Sequence, residues 1–337
     1  MKRFLTIVAL LALLPANALA WGEAGHAMIS RLGAQTLPTS VPAFLRTASA
    51  VDEISYLGPE EDRLRDAGAS YDADWDEGHF LDLDDDGTVA GVVHMDALPK
   101  SMAAYAEALA KAGTTPYKVG FIPYTIMDGF ERVRMDLAYW RVFDYLATHA
   151  TTAAARGQFT WQRSLRETLT LRDIGDWSHF VGDGSQPLHI SIHYNGWGEY
   201  PNPHNYTTKH IHSYFETVFV GKYAKIDDVR ALIPAMQAPV PDHLLTQDEI
   251  GALVGNYLAG TAKEVDPLYQ LYAAGDFENG TPKAVTFTDT QLARGAAELR
   301  NLIVLAWEDS LNQSVGYPAV AVRDVLAGKV APTGVGD

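Results

Sequence analysis

Apolar residues recur every three to four positions along most of the chain, the spacing that keeps them on one face of an α-helix. The pattern predicts helices over residues 24–37, 95–112, 127–148, 164–180, 211–220, 247–274 and 288–310. Thr246 stands as an N-cap before the sixth. In the last, Leu292, Ala296, Leu299 and Ile303 repeat at helical spacing behind Thr288-Asp289. Alternation at a period of two holds for only a few residues, and the best strand, Phe80-Leu81-Asp82-Leu83-Asp84, is short. Long connections are expected at 59–78 and 194–209, where loops of that length usually carry function. No repeat or low-complexity linker divides the chain, so the expected fold is all-α, a single multi-helix domain over residues 21–337.

The first twenty residues read differently. Lys2 and Arg3 precede an apolar run over 4–14, too short to span a bilayer, and Ala18-Leu19-Ala20 is a small-x-small cleavage site. Residues 1–20 are therefore expected to be a signal peptide, cut between Ala20 and Trp21, leaving a secreted or periplasmic chain. No later segment has the ~20 apolar residues of a membrane helix, and no obligate protein partner is evident. Hydrophobic residues are 47% of the 337, enough for a sizeable core. There is no cysteine, which excludes disulfides and thiolate metal sites. The net charge of −16 excludes passive nucleic-acid binding through a basic patch, though not an enzyme that brings its own cations. Asp84-Asp85-Asp86-Gly87 opens like a calcium loop but lacks the downstream glutamate, and reads as a solvated acidic turn.

The histidines change the picture. Five of the eleven fall between His189 and His212, with His179 just before. His179 and Asp183 stand at i and i+4 on one predicted helix face, so both can reach one cation. The Gly182-Asp183-Gly184 turn and Gln186-Pro187-Leu188-His189 bring back a second imidazole, and His212 with Glu216 repeats the i, i+4 pairing. One such pair is more often a surface contact; two, with His189 between them, favour zinc held by imidazole and carboxylate. At the cleavage site, the freed amine and carbonyl of Trp21 are placed to chelate a metal, with His26 five residues on as a third ligand. His193 stands four beyond His189 but outside a set already filled. His204 and His210 read as outer or solvent groups, and His94, His149 and His243 as structural.

These residues resemble the zinc-dependent superfamily that unites the fungal and plant single-strand nucleases with bacterial phospholipase C. The likeness rests on a mature Trp followed by Gly and His (Trp21, His26), the His-x3-Asp-x5-His run (His179, Asp183, His189) and the later His-x3-Glu pair (His212, Glu216). It implies that His79 is a further ligand and that an acidic residue before it, Glu60 or Asp62, completes the set. In the nuclease branch that acid is followed three residues later by an arginine, the relation Glu60 bears to Arg63. The resemblance implies three zinc ions. The first would take Glu60 or Asp62, His79, His179 and Asp183; the second His189, His212 and Glu216; the third Trp21, His26 and a bridging Asp183. Glu60, Arg63 and Asp183 would serve catalysis, with Arg63 binding phosphate.

The function implied is hydrolysis of phosphodiester bonds, with single-stranded DNA or RNA as substrate and 5′-phosphorylated products. Gly-Asp-x-x-Gln-Pro-Leu-His is the nuclease-like form, and Tyr194, Trp197, Tyr200 and Tyr206 are aromatic groups that can stack bases. Glu216 is closer to the phospholipase form, and Thr217 stands where the nucleases place a base-contacting Asn. A phospholipase C is the enzyme alternative; a periplasmic zinc-binding protein without catalysis is the other.

Overall fold

The first apolar stripe is helix α1, Gly22–Gln35, in the computed structural model, which describes residues 21–65 and 67–330. The face carrying Ile29 and Leu32 is fully buried. Helix α2 (Ala48–Leu57) follows, with Thr47 Oγ1 accepting the Ala50 N–H at 3.1 Å as its N-cap. Helix α3 (Met102–Lys111) starts seven residues later than the pattern predicts, because Pro99 breaks the run and Ser101 caps the start.

Two long helices dominate the next stretch, α4 (Ile122–His149) and α5 (Ala153–Asp183). They pack antiparallel: Trp177 donates to the Ile126 carbonyl at 2.9 Å, Arg166 meets Asp136 at 2.6 Å, and Arg163 meets Asp144 at 2.8 Å. Gly129 lets them approach, since a Cβ there would collide with the Trp177 indole. Both begin earlier than predicted. Pro123 is preorganised for the first turn of α4, and Thr152 caps the Ala-rich start of α5, whose exposed surface gives no apolar period to read.

The single helix predicted over 247–274 is two, α6 (Gln247–Ala262) and α7 (Val265–Ala273). Pro267 is the cause: it lacks the N–H to reach the carbonyl of residue 263, so the chain restarts with Pro267 in a first turn. Thr246 and Glu249 form a reciprocal capping box at the start of α6. Helix α8 (Pro282–Asp309) is the last long helix. Its first half (Leu292, Ala293, Ala296) packs into a core with Trp21, Leu188, Phe215, Tyr269 and Phe277. Its second half (Leu299, Ile303, Ala306) joins a core with Ile54, Leu81, Phe130, Trp177 and Val181.

Among the described residues strand is confined to two small antiparallel hairpins, Thr88–Val89 with Val93–His94 and Ser314–Val315 with Val320–Ala321. The segment 80–84 makes only isolated bridges, Leu81 to Gly120 and Leu83 to Val89. The stretch 59–78 is not a loop but short helices, Glu60–Arg63 and Ala69–Trp75, then a 3-10 turn, Asp76–His79. The stretch 194–209 is a connection, pinned by the Trp197 N–H to Thr207 O bond at 2.9 Å. The architecture is an all-α, multi-helix single domain. Among the described residues no helix is long and apolar enough to cross a membrane. The expected leader, residues 1–20, lies outside the described residues.

Candidate metal centre

The two cores meet where α1, the end of α5 and the turn after it converge. Phe180 and Val181 belong to one core, and Trp21 and Leu188 to the other. The polar residues between them are fully or almost fully buried: His26, His79, His179, Asp183, His189, His212 and Glu216. They come from five separated stretches of sequence. Their ligand atoms fall into three groups, each within 4.8 Å: His26 with His179 and Asp183, Asp62 with His79 and His179, and His189 with His212 and Glu216. Each group could hold a metal ion.

Asp183, on the last turn of α5, is the hub. Its Oδ2 lies 3.1 Å from His79 Nδ1 and 3.3 Å from His179 Nε2, and its Oδ1 lies 3.4 Å from His26 Nε2 and 4.0 Å from His189 Nδ1. The His26 ring stacks on His179 with centroids 3.9 Å apart. At the second locus Glu216 Oε2 lies 2.8 Å from His212 Nε2 and 3.6 Å from His189 Nε2. Glu216 sits in a π-helical turn, Tyr214–Phe219, a winding frequent at functional sites.

Three of the five imidazoles are oriented in the same way. His179 Nδ1 donates to Gly58 O at 2.9 Å, His189 Nδ1 to His79 O at 2.7 Å and His212 Nδ1 to Tyr194 O at 2.9 Å. A backbone carbonyl on one ring nitrogen fixes the tautomer and leaves the other with its lone pair aimed inward, the usual arrangement for a metal-binding histidine. The set also holds buried polar atoms without a hydrogen bond from any protein group. Both His26 nitrogens, both Asp62 oxygens, Asp183 Oδ1, His189 Nε2 and Glu216 Oε1 take no hydrogen bond. Each such group costs about 1–3 kcal/mol unless something else partners it, and cations would partner the carboxylate oxygens, His189 Nε2 and one of the His26 nitrogens. Oxygen and imidazole nitrogen donors without sulfur fit zinc and its divalent neighbours.

Electrostatics agree. Burial and the neighbouring His179 hold His26 below its usual range, and burial brings His79 down to about 4. Burial works against the His179 imidazolium too, yet Asp183 and Asp62 hold it up to about 9. The carboxyl of Asp183 is driven well below the usual range by His179 and His189 despite its burial. With protons alone His179 is the imidazolium that meets the carboxylates, while His26 and His79 are held neutral, and a metal ion would displace the His179 proton.

The structure separates the two acidic alternatives. Asp62 enters the cluster, with Oδ1 3.8 Å from His179 Nε2 and Oδ2 4.0 Å from His26 Nε2. Glu60 does not; it pairs outward with Arg63 at 2.9 Å. Arg63 also turns away, bonding Glu23 at 2.9 Å and lying over the Tyr56 ring. The arginine at the cleft is Arg65, whose Nε is 3.3 Å from Asp62 Oδ1. Sequence reasoning missed it, although Asp62 and Arg65 stand in the three-residue relation assigned to Glu60 and Arg63. On a short helix, a shift of two positions moves a side chain to the opposite face.

Trp21 opens α1 in a left-handed conformation (φ 34°), its carbonyl accepting the Gly25 N–H at 3.2 Å. Its indole is buried and donates to Gly182 O at 2.9 Å. Gly22, at φ +56°, presses on Glu216 and Thr217, where a Cβ would sit 3.2 Å from Thr217 Oγ1. The start of α1 is thereby fixed beside Glu216. His193 stays outside the three groups, held between Trp197 O at 3.0 Å and Asp85 Oδ1 at 2.9 Å.

A cavity of about 310 Å³ opens onto His79, His189 and His212. Phe80, Tyr194 and Asn195 line it, with the cations Arg65 and Lys118 at its wall. No family model matches this chain, and no curated protein or solved structure matches it either.

Proposed function

We propose that this chain is a metal-dependent hydrolase of phosphodiester bonds, and in particular a three-zinc nuclease acting on single-stranded DNA or RNA to leave 5′-phosphorylated ends. The supporting observation is the convergence of five histidines and three carboxylates with unsatisfied oxygens, three of the histidines (His79, His189 and His212) opening onto a cavity whose wall carries Arg65 and Lys118 beside Asp76 and Asp82. Bound there, zinc ions supply Lewis-acid charge for the phosphoryl oxygens and an activated water.

The chain's own residues do the rest. Asp62, His79, His179 and Asp183 would hold one ion, His189, His212 and Glu216 another, and His26 with Asp183 and the Trp21 amine a third. Arg65 offers the planar donor pair that suits a phosphate. Phe80 and Tyr194 offer faces for a base. Export and removal of residues 1–20, which frees the Trp21 amine, belong to the same reading.

One observation favours a phospholipase C instead. The residue after Glu216 is Thr217, and its hydroxyl faces Gly22 rather than the cavity, so no amide there meets a base. The test is elemental analysis of the chain beginning at Trp21, with assays on single-stranded DNA, RNA and phosphatidylcholine. We expect about three zinc ions per chain by this ligand count, and nucleic-acid cleavage lost on chelation and restored by zinc. Cleavage of phosphatidylcholine alone would select the second reading. Zinc binding without turnover would leave a storage protein, and chelator-insensitive hydrolysis would exclude a metal mechanism.

A further inference from the structure

Gln186 is fully buried and touches every part of the His189–His212–Glu216 group. Its Oε1 accepts the Leu188 N–H at 2.6 Å. A backbone N–H can only donate, so this bond fixes which end of the amide is which and turns Nε2 toward the ligands. Nε2 lies 3.2 Å from Glu216 Oε2 and 3.1 Å from His212 Nε2. The Gln186 carbonyl also accepts the His189 N–H at 3.0 Å, closing the turn Pro187–His189 that delivers the third ligand.

We propose that Gln186 is the positioning residue of this ligand group, an inference that rests on the reading that the group holds a cation. Its amide ties together ligands that lie far apart in sequence. By donating to Glu216 Oε2 it orients the carboxylate and leaves Oε1, which has no hydrogen-bond partner, for the ion. Only a neutral side chain with both an acceptor and a donor meets the two demands. A carboxylate in its place would face Glu216 with like charge, and an apolar residue would leave the Leu188 N–H orphaned. A residue that merely closed the turn would need the acceptor end alone.

The test is stepwise zinc titration of the metal-free protein, unsubstituted and carrying Gln186→Met or Gln186→Asn. Methionine keeps the volume and loses both bonds; asparagine keeps the polarity and loses the reach, and so gives the reading if the methionine variant does not fold. We expect one zinc equivalent to weaken by about 10–100-fold, the usual effect of removing an outer partner of a ligand, with the other equivalents unchanged. Equal affinities in all three proteins, or a uniform weakening of every equivalent, would overturn the assignment. If the unsubstituted protein takes up no zinc, the metal reading itself has failed, a result distinct from a variant that binds like its parent.

Discussion

Asp62 and Glu60 are chemically near-equivalent and two positions apart, yet only one shares a cluster with His79 and His179. The difference is which face of the four-residue helix Glu60–Arg63 each occupies. Asp62 turns in toward buried imidazoles, whereas Glu60 turns out to make an ion pair with Arg63, both about a third exposed, and such pairs contribute little. Asp62→Ala is expected to lose tight binding of one zinc equivalent and to drop turnover by about 100-fold or more, as expected when a transition-state partner is removed. Glu60→Ala should bind and turn over within about twofold of the parent, as surface pairs allow. Metal-binding isotherms of the two variants side by side check this, and the reverse ranking would return the role to Glu60.

Among the elements, α8 has more buried residues than any other helix and also a group out of keeping with them. Glu298 is half-buried, its carboxyl pushed up to about 7 by burial although Arg294 and Arg300 pull the other way. The folded state therefore binds this proton more tightly than the unfolded chain, whose value is 4.5. A raised carboxyl costs nothing below the unfolded value and costs progressively more as pH rises through the folded one, so its contribution to stability falls between about pH 4.5 and 7. Glu298→Gln removes the titration. The melting temperature of the variant relative to the parent should climb across that window and level off above it; a constant difference would show that Glu298 keeps an ordinary pKa. The other helices show what a hydrophobic period can and cannot tell. Where a buried stripe faces a core, as in α1 and α8, existence was readable, but α8 begins at Pro282 under a Thr281 cap, before the start expected at Thr288-Asp289. Where a proline or a cap sets the limit, as at Pro267, Ser101 and Thr152, the periodicity ran on or stopped short.

For the whole molecule, the centre is a joint between two cores, built on α1, the helix Glu60–Arg63, the turn Asp76–His79, the end of α5 and the segment 212–216. Ions bound there would cross-link these parts and would bind the folded state alone. Saturating zinc at about 100 times its dissociation constant adds about 2.7 kcal/mol per independent ion. Chelation should therefore lower the melting temperature by roughly 5 °C or more, and zinc should restore it. Calorimetry with and without chelator reads this directly, and identical scans would mean that the cluster is held by protons alone.

The pairing of His179 with Asp183 and of His212 with Glu216 was legible in the sequence because His-x3-Asp and His-x3-Glu carry their geometry locally: four residues on a helix place two side chains on one face. The all-α class was legible for a similar reason, since burial imposes a period of 3.6 on any stretch that folds against a core. The helix-face choice between Asp62 and Glu60, the assignment of the cleft arginine to Arg65, and the reach of Gln186 across to Glu216 were decided only in three dimensions. They depend on contacts between residues remote in sequence or on the exact facing of a short helix, and no local period records either.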